Sequence, residues 1–405
     1  MTLLSRRSLM GQAAFLAIAA AAPRLAGAQS AGFDAWLADL RAEALAKGIS
    51  QGTLNKALQG VQPNPRVIEL DRTQPEFTQT FWRYMQPRIT DERIAAGQVQ
   101  LAANAKILAQ VEETYGVAAE VLMAFWGLET NYGGYMGEFA VFEALATLAW
   151  DPRRADFFRA ELLNALRIVE DGHIWPEAMV GSWAGAMGHF QFLPSTFLAA
   201  AVDFDGDGRK DIWINTTDAF ASAANFLVKS GWRGGPPWGY EVAMPANFPW
   251  QESGADNRQP VARWQALGVR LPGGGNLLHP QEQGAILVPA GWQGPAFVVL
   301  SNFYATLRWN NSHLYAISVG HLAERIAGKG PFKAKPPAEE ERLSREEIEA
   351  MQSYLNKLGY DSGEPDGKVG PKTRKALRAF QLAQGYPADA YPTRAIIAAL
   401  ATLVG

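Results

Sequence analysis

Residues Met123 to Gly134 read M-A-F-W-G-L-E-T-N-Y-G-G. This run constrains the fold more than any other stretch of the chain. Val117, Val121, Phe125 and Leu128 recur at spacings of four, four and three, which lines them along one helical face. Glu129 comes four residues after Phe125 and shares that face, so its carboxyl is carried to the buried side of the helix. Asn131 and the Gly133–Gly134 pair then stop the helix. A carboxyl held against Phe and Trp side chains has its charged form desolvated. That predicts a raised pKa and a group still protonated near neutral pH, as a general acid has to be. The alternative for a Glu at a helix end is a solvated or capping role.

Helical periodicity continues around residues 33–58, 91–114, 138–149, 155–170 and 217–230. Between Trp232 and Val299 the pattern changes, and Gly, Pro and Trp become frequent. Ala285–Val288 and Phe297–Leu300 flank a Gly-Trp-Gln-Gly turn, which predicts a β-hairpin in a small β-rich lobe. A helix at roughly 305–327 returns the chain to the helical body. The fold class is therefore mainly α, of α+β type. Residues 328–342 are Pro, Gly, Lys and Glu with almost nothing to bury, and read as a linker. In the last segment, 343–405, Ile348, Met351, Leu355 and Leu358 form one helical stripe and Thr373 to Ala383 another. Gly359-Tyr360 and Gly385-Tyr386 end the two alike, a faint internal repeat.

Residues 1–28 read as a targeting leader. Ser5-Arg6-Arg7-Ser8-Leu9-Met10 is a twin-arginine pattern, which an ordinary secretory leader can also carry. Phe15 to Ala22 is a short apolar stretch, and Ala26-Gly27-Ala28 offers a cleavage site. No segment is long and apolar enough for a membrane span. The chain has no cysteine, which excludes a cysteine-linked lipid anchor, disulfides and thiolate metal sites. Without residues 1–28 the chain loses three arginines and no acid, leaving 34 basic against 40 acidic residues, a net of −6. That argues against a nucleic-acid partner. A periplasmic, exported protein is expected.

Two further runs carry chemistry. In Gly181-Ser182-Trp183-Ala184-Gly185-Ala186-Met187-Gly188-His189-Phe190-Gln191-Phe192-Leu193-Pro194-Ser195, glycines allow close backbone approach to a ligand, with Ser182 and Gln191 beside it. The alternative is a buried helix–turn junction. In Asp203-Phe204-Asp205-Gly206-Asp207-Gly208-Arg209-Lys210-Asp211, acids stand at positions 1, 3 and 5 and Gly at 6, the opening of an EF-hand loop. Asp203, Asp205 and Asp207 could converge on Ca²⁺ with the carbonyl of Arg209. Position 12 is Ile214 where a Glu is expected, and a metal-free loop of Asx-turns is the alternative. The five histidines form no metal-binding pattern, and no nucleophile elbow or phosphate loop occurs.

G-L-E-T-N-Y-G, A-L-A-T-L-A-W-D-P-R-R, the Gly181–Ser195 run and R-W-N-N-S-H-L-Y at Arg308 to Tyr315 together resemble the lytic murein transglycosylase B family (glycoside hydrolase family 103). The resemblance spans nearly all of residues 33–327 in the family's order. It implies a lysozyme-like helical core with a catalytic Glu at Glu129. It implies sugar- and peptide-contacting positions at Ser182, Gln191, Trp309, Asn310, Ser312 and Tyr315. Trp309 departs from a Tyr in the family, which keeps a ring and loses a hydroxyl. Arg153 and Arg154 match an arginine pair near the cleft, with a surface ion pair as the alternative. Asp218 fits the family's further metal-binding Asp. Asp366 to Gln381 resembles the peptidoglycan-binding module, a three-helix fold.

The expected organisation is a leader at 1–28, a catalytic domain at 29–327, a linker at 328–342 and a peptidoglycan-binding domain at 343–405. The expected activity is cleavage of the β-1,4 bond between N-acetylmuramic acid and N-acetylglucosamine, with 1,6-anhydro ring formation and Glu129 as sole acid and base. Structural Ca²⁺ and no organic cofactor are expected, with peptidoglycan strands as partner. The alternatives are a hydrolytic muramidase, with Glu138 or Asp151 as second acid, and a non-catalytic wall-binding protein.

Overall fold

The computed structural model describes residues 22–72 and 79–405, with side chains from Gly32 onward. Most of the leader read at residues 1–28 lies outside the described residues. None of the described helices is long and apolar enough to cross a membrane.

The body opens with α1 (Ala22–Ala46), α2 (Gln51–Ala57), α3 (Pro65–Arg72), α4 (Phe81–Met85), α5 (Asp91–Ala103), α6 (Ala105–Tyr115) and α7 (Ala119–Thr130). A short ribbon of β1 (Phe139–Ala140) and β2 (Val180–Gly181) encloses α8 (Val141–Trp150) and α9 (Ala155–Glu170). Next come α10 (Pro194–Ala200) and α11 (Thr216–Lys229). The β lobe holds β3 (Gly239–Val242), β4 (Gln259–Pro260), α12 (Val261–Ala266), β5 (Gln283–Leu287) and β6 (Ala296–Val299). The chain returns through α13 (Ser301–Trp309) and α14 (His313–Ile326), and ends in α15 (Arg345–Lys357), α16 (Pro371–Ala383) and α17 (Arg394–Val404).

Helix α7 is the axle of the body. Leu122 to Gly127 are all buried, and α5, α6, α11 and α14 pack around it. A helix apolar on nearly every side can only be stable with neighbours on every side. The expected hairpin is present: β5 and β6 pair antiparallel with Ile286 opposite Val298, inside a sheet of order β3-β6-β5-β4. That lobe has its own core around Trp264, Ile286 and Val298.

Three helices expected as single runs are broken. The 33–58 run breaks where Gly48 takes a φ of 79° and Ser50 caps α2 by accepting the N–H of Thr53. The 91–114 run breaks at Asn104. The 305–327 run breaks at Asn310–Ser312, where Ser312 accepts the N–H of Tyr315 and starts α14 in a new direction.

The terminal segment folds on its own small core of Met351, Leu355, Leu377, Phe380 and Leu400, with a capping box between Ser344 and Glu347. Residues 328–342 contain neither helix nor strand, yet they are fastened to the body. Phe332 stacks on His321 with ring centroids 3.6 Å apart and touches Phe81 and Phe297. The N–H groups of Lys333 and Ala334 donate to Glu241 at 2.6 and 2.7 Å, and Glu340 accepts from the N–H groups of Trp82 and Arg83 at the start of α4. The segment is thus a strap, because one aromatic, one acid and two backbone N–H groups among its prolines and lysines find partners on the body. The terminal helices are also tied to the β lobe: the buried carboxylate of Asp389 accepts the N–H of Trp292 at 2.8 Å.

Candidate active site

Glu129 sits in the last turn of α7, half-buried. The turn after it is sharp. Asn131 and Tyr132 take φ values of 51° and 61°, and Tyr132 folds back so that its hydroxyl donates to the carbonyl of Arg93 at 2.8 Å. A Cβ at position 127 would lie 2.7 Å from the Tyr132 ring, so only glycine admits this fold-back. The run G-L-E-T-N-Y-G therefore fixes both the end of the helix and the direction of its carboxylate.

The break between α13 and α14 completes the site. Trp309, the last residue of α13, donates its indole N–H to Oε1 of Glu129 at 3.0 Å. Tyr315, in the first turn of α14, donates its hydroxyl to the same oxygen. Burial pushes the Tyr315 hydroxyl well above its ordinary value of 10, and the Glu129 carboxylate adds to this, so the phenol stays protonated and remains a donor. Trp309 lies among Phe125, Phe190, Phe192 and Phe226, the closest centroid being that of Phe125 at 4.4 Å. Ser312 holds the turn by its cap on Tyr315, and its N–H donates to the Asn310 carbonyl at 2.7 Å.

The second run meets the first through backbone. Gln191, with φ 51°, donates its amide to the carbonyls of Met136 and Gly188, both at 3.1 Å. Ser182 accepts the N–H groups of Ala184 and Ala186 with its hydroxyl oxygen. Arg153 and Arg154 both engage Asp71, which is 3% exposed at the end of α3. Asp71, Thr130 and His189 contribute to this framework and were not singled out by sequence. Thr130 and His189 stand inside the two motif runs without a role of their own, and Asp71 lies in no motif.

In the acidic loop, carboxylate oxygens of Asp203, Asp205 and Asp218 all lie within 4.8 Å of one another. Asp218 is fully buried, and that burial raises its pKa against the N–H groups of Phe204 and Asp211 that stabilise its charge. Three converging carboxylates, one without solvent, are a donor set that fits a hard divalent cation. Asp207 instead faces Arg209 at 3.5 Å, and Ile214 is 85% exposed. Asn215, which caps α11, donates to Asp205 at 2.7 Å and was missed by the sequence reading.

A half-buried carboxylate gripped by an indole and a phenol, on a helical core with a small β lobe, defines a glycan-cleaving enzyme of lysozyme-like type. The transglycosylase SLT domain family matches residues 32–324, and the chain belongs to it. The putative peptidoglycan binding domain family matches residues 344–400. SltB3 from Pseudomonas aeruginosa, solved in complex with NAG-anhNAM-pentapeptide and with NAG-NAM-pentapeptide, is 46% identical, with 91% of this chain and 99% of that chain covered and a TM-score of 0.88. Membrane-bound lytic murein transglycosylase B of Escherichia coli is 34% identical over 60% of this chain and 67% of its own length. Escherichia coli Slt35, solved in complex with calcium, is 29% identical, covering 72% of this chain and 92% of that one, with a TM-score of 0.63. This chain is a lytic transglycosylase with a terminal peptidoglycan-binding domain.

Proposed function

We propose that the enzyme cleaves the β-1,4 bond between N-acetylmuramic acid and N-acetylglucosamine and closes a 1,6-anhydro ring, with Glu129 as the only acid and base. The observation that carries this reading is the single carboxylate bonded through Oε1 by Trp309 and Tyr315. Glu129 gives its proton to the leaving oxygen as the C1–O bond breaks. The carboxylate then takes the proton of the muramic acid C6 hydroxyl as that oxygen bonds to C1. One proton leaves and one returns, and no water is consumed. Two donors on Oε1 stabilise the carboxylate in the interval between the two transfers.

Hydrolysis would ordinarily need a second carboxylate at a set distance. Asp151, one of the two candidates for that second acid, is occupied by Arg72 at 3.2 Å and by the N–H of Arg153. Ser182, Gln191 and Asn310 offer the sugar and its peptide polar groups beside the cleft, while Ser312, Arg153 and Arg154 support the frame. Asp203, Asp205 and Asp218 would hold Ca²⁺, with Asp207 and the Arg209 carbonyl at the loop's outer side, and the ion would supply cross-linking of the loop to α11. The leader read at residues 1–28 and a wall polymer as substrate both favour a periplasmic location.

Digestion of sacculi in heavy-oxygen water tests the reaction. Anhydro products without label are expected, and label at C1 would make the enzyme a muramidase.

A further inference from the structure

His189 lies in the second motif run, yet no sugar-contacting role has been given to it. It is 8% exposed and carries three bonds. Its Nδ1 accepts the indole N–H of Trp126 at 3.1 Å, and its carbonyl accepts the hydroxyl of Thr130 at 2.9 Å. Its own N–H donates to the carbonyl of Ile212 at 3.0 Å. Trp126 and Thr130 belong to the last turns of α7, and Thr130 is the neighbour of Glu129. The Thr130 hydroxyl also accepts the N–H of Gly133, while the Thr130 carbonyl accepts that of Tyr135. The residue before His189 is pressed against the same anchor: a Cβ at Gly188 would lie 2.6 Å from the Ile212 carbonyl.

We infer that His189 is a positioning residue for Glu129, a bracket that ties the end of α7 to the 211–213 segment and sets where the carboxylate stands. The inference rests on the reading of Glu129 as the acid and base. The end of α7 is closed by residues of positive φ whose N–H groups fold back on the Trp126 carbonyl, so the turn is fixed on itself and needs an outside anchor to fix where it stands. The His189 imidazole supplies that anchor through Trp126 and its backbone carbonyl through Thr130. A group that must reach two oxygens of one sugar in succession tolerates little displacement, and a shift of about 1 Å can cost about 10²-fold in rate.

Two substitutions separate positioning from folding. His189→Asn keeps an acceptor near the place of Nδ1, whereas His189→Leu keeps bulk and removes it. With both variants assayed well below their melting temperatures, His189→Leu is expected to lose about 10²-fold in kcat with KM little changed. His189→Asn is expected to recover most of that loss, and the Trp126 indole proton resonance should keep its hydrogen-bonded shift in the Asn variant alone. Equal kcat losses in the two variants, a loss confined to KM, or an unimpaired Leu variant would each overturn the inference. Glu129→Gln is run beside them. If it is inactive while His189→Leu is normal, only the bracket is wrong. If it is active, the reading of Glu129 fails and the bracket falls with it.

Discussion

Tyr315 donates its hydroxyl to Oε1 of Glu129, although 186 residues of chain separate them. The bond exists because the chain breaks at Asn310–Ser312 and turns α14 toward the end of α7. Tyr315→Phe keeps the ring and removes the donor. Bonds to charged groups contribute about 1.5–3 kcal/mol, so kcat should fall about 10- to 100-fold with the fold intact. Unchanged kcat on sacculi would show that the bond does not serve the reaction.

Trp309 shares the same oxygen, so the two donors should not act independently. Trp309→Phe keeps the aromatic packing and removes the N–H. In a double-mutant cycle with Tyr315→Phe the two losses are expected to be non-additive. Additive losses in kcat would mean that the two donors act independently of one another.

The break at 310–312 also marks the limit of what sequence could tell. Leu314, Ile317 and Leu322 continue the apolar rhythm of α13, so periodicity alone joins the two helices. Only the cap formed by Ser312 betrays the turn, and Ser within a run is a weak signal. The end of α7 was legible because Asn131, Gly133 and Gly134 leave the chain no helical continuation. The strap at 328–342 was not, since Phe332 is one aromatic residue among prolines and lysines, and its partners His321, Phe81 and Phe297 come from distant segments. Asp218 entered only through family resemblance, because it lies beyond the loop spacing and reaches Asp203 and Asp205 through the start of α11.

Phe332→Ala in the full-length protein tests the strap. The ring is half-buried, so about 2 kcal/mol of stability should be lost. Residues 328–342 should then become a protease target. A variant with unchanged stability and protection would show that the strap is held by its N–H bonds to Glu241 and by the Glu340 carboxylate alone.

Burial lowers the pKa of His189 and His173, and each accepts a hydrogen bond at Nδ1 in its neutral form. A depressed histidine pKa means that the unfolded chain takes up protons first. The stability these groups contribute is present above the unfolded value of about 6.5 and is lost as pH falls through it toward the folded values. Melting temperature should therefore decline between pH 7.5 and 5. His173→Asn should flatten part of that decline, and a slope identical to wild type would contradict the assignment.

Chelation tests the acidic loop. Wild-type protein should melt higher in millimolar Ca²⁺ than in chelator, with about 2.7 kcal/mol gained at a hundredfold excess over the dissociation constant. Asp203→Ala with Asp218→Asn should erase the difference. Equal melting of the wild type in both conditions would rule out a cation at this site.

The account rests most directly on Glu129, and one measurement addresses it. Glu129→Gln keeps the shape of the side chain and removes the transferable proton. With circular dichroism and sacculus binding at wild-type levels, release of soluble anhydro-muropeptides should fall by at least about 10²–10⁴-fold. Release within tenfold of wild type by the folded, binding-competent variant would contradict the assignment of the acid and base to Glu129.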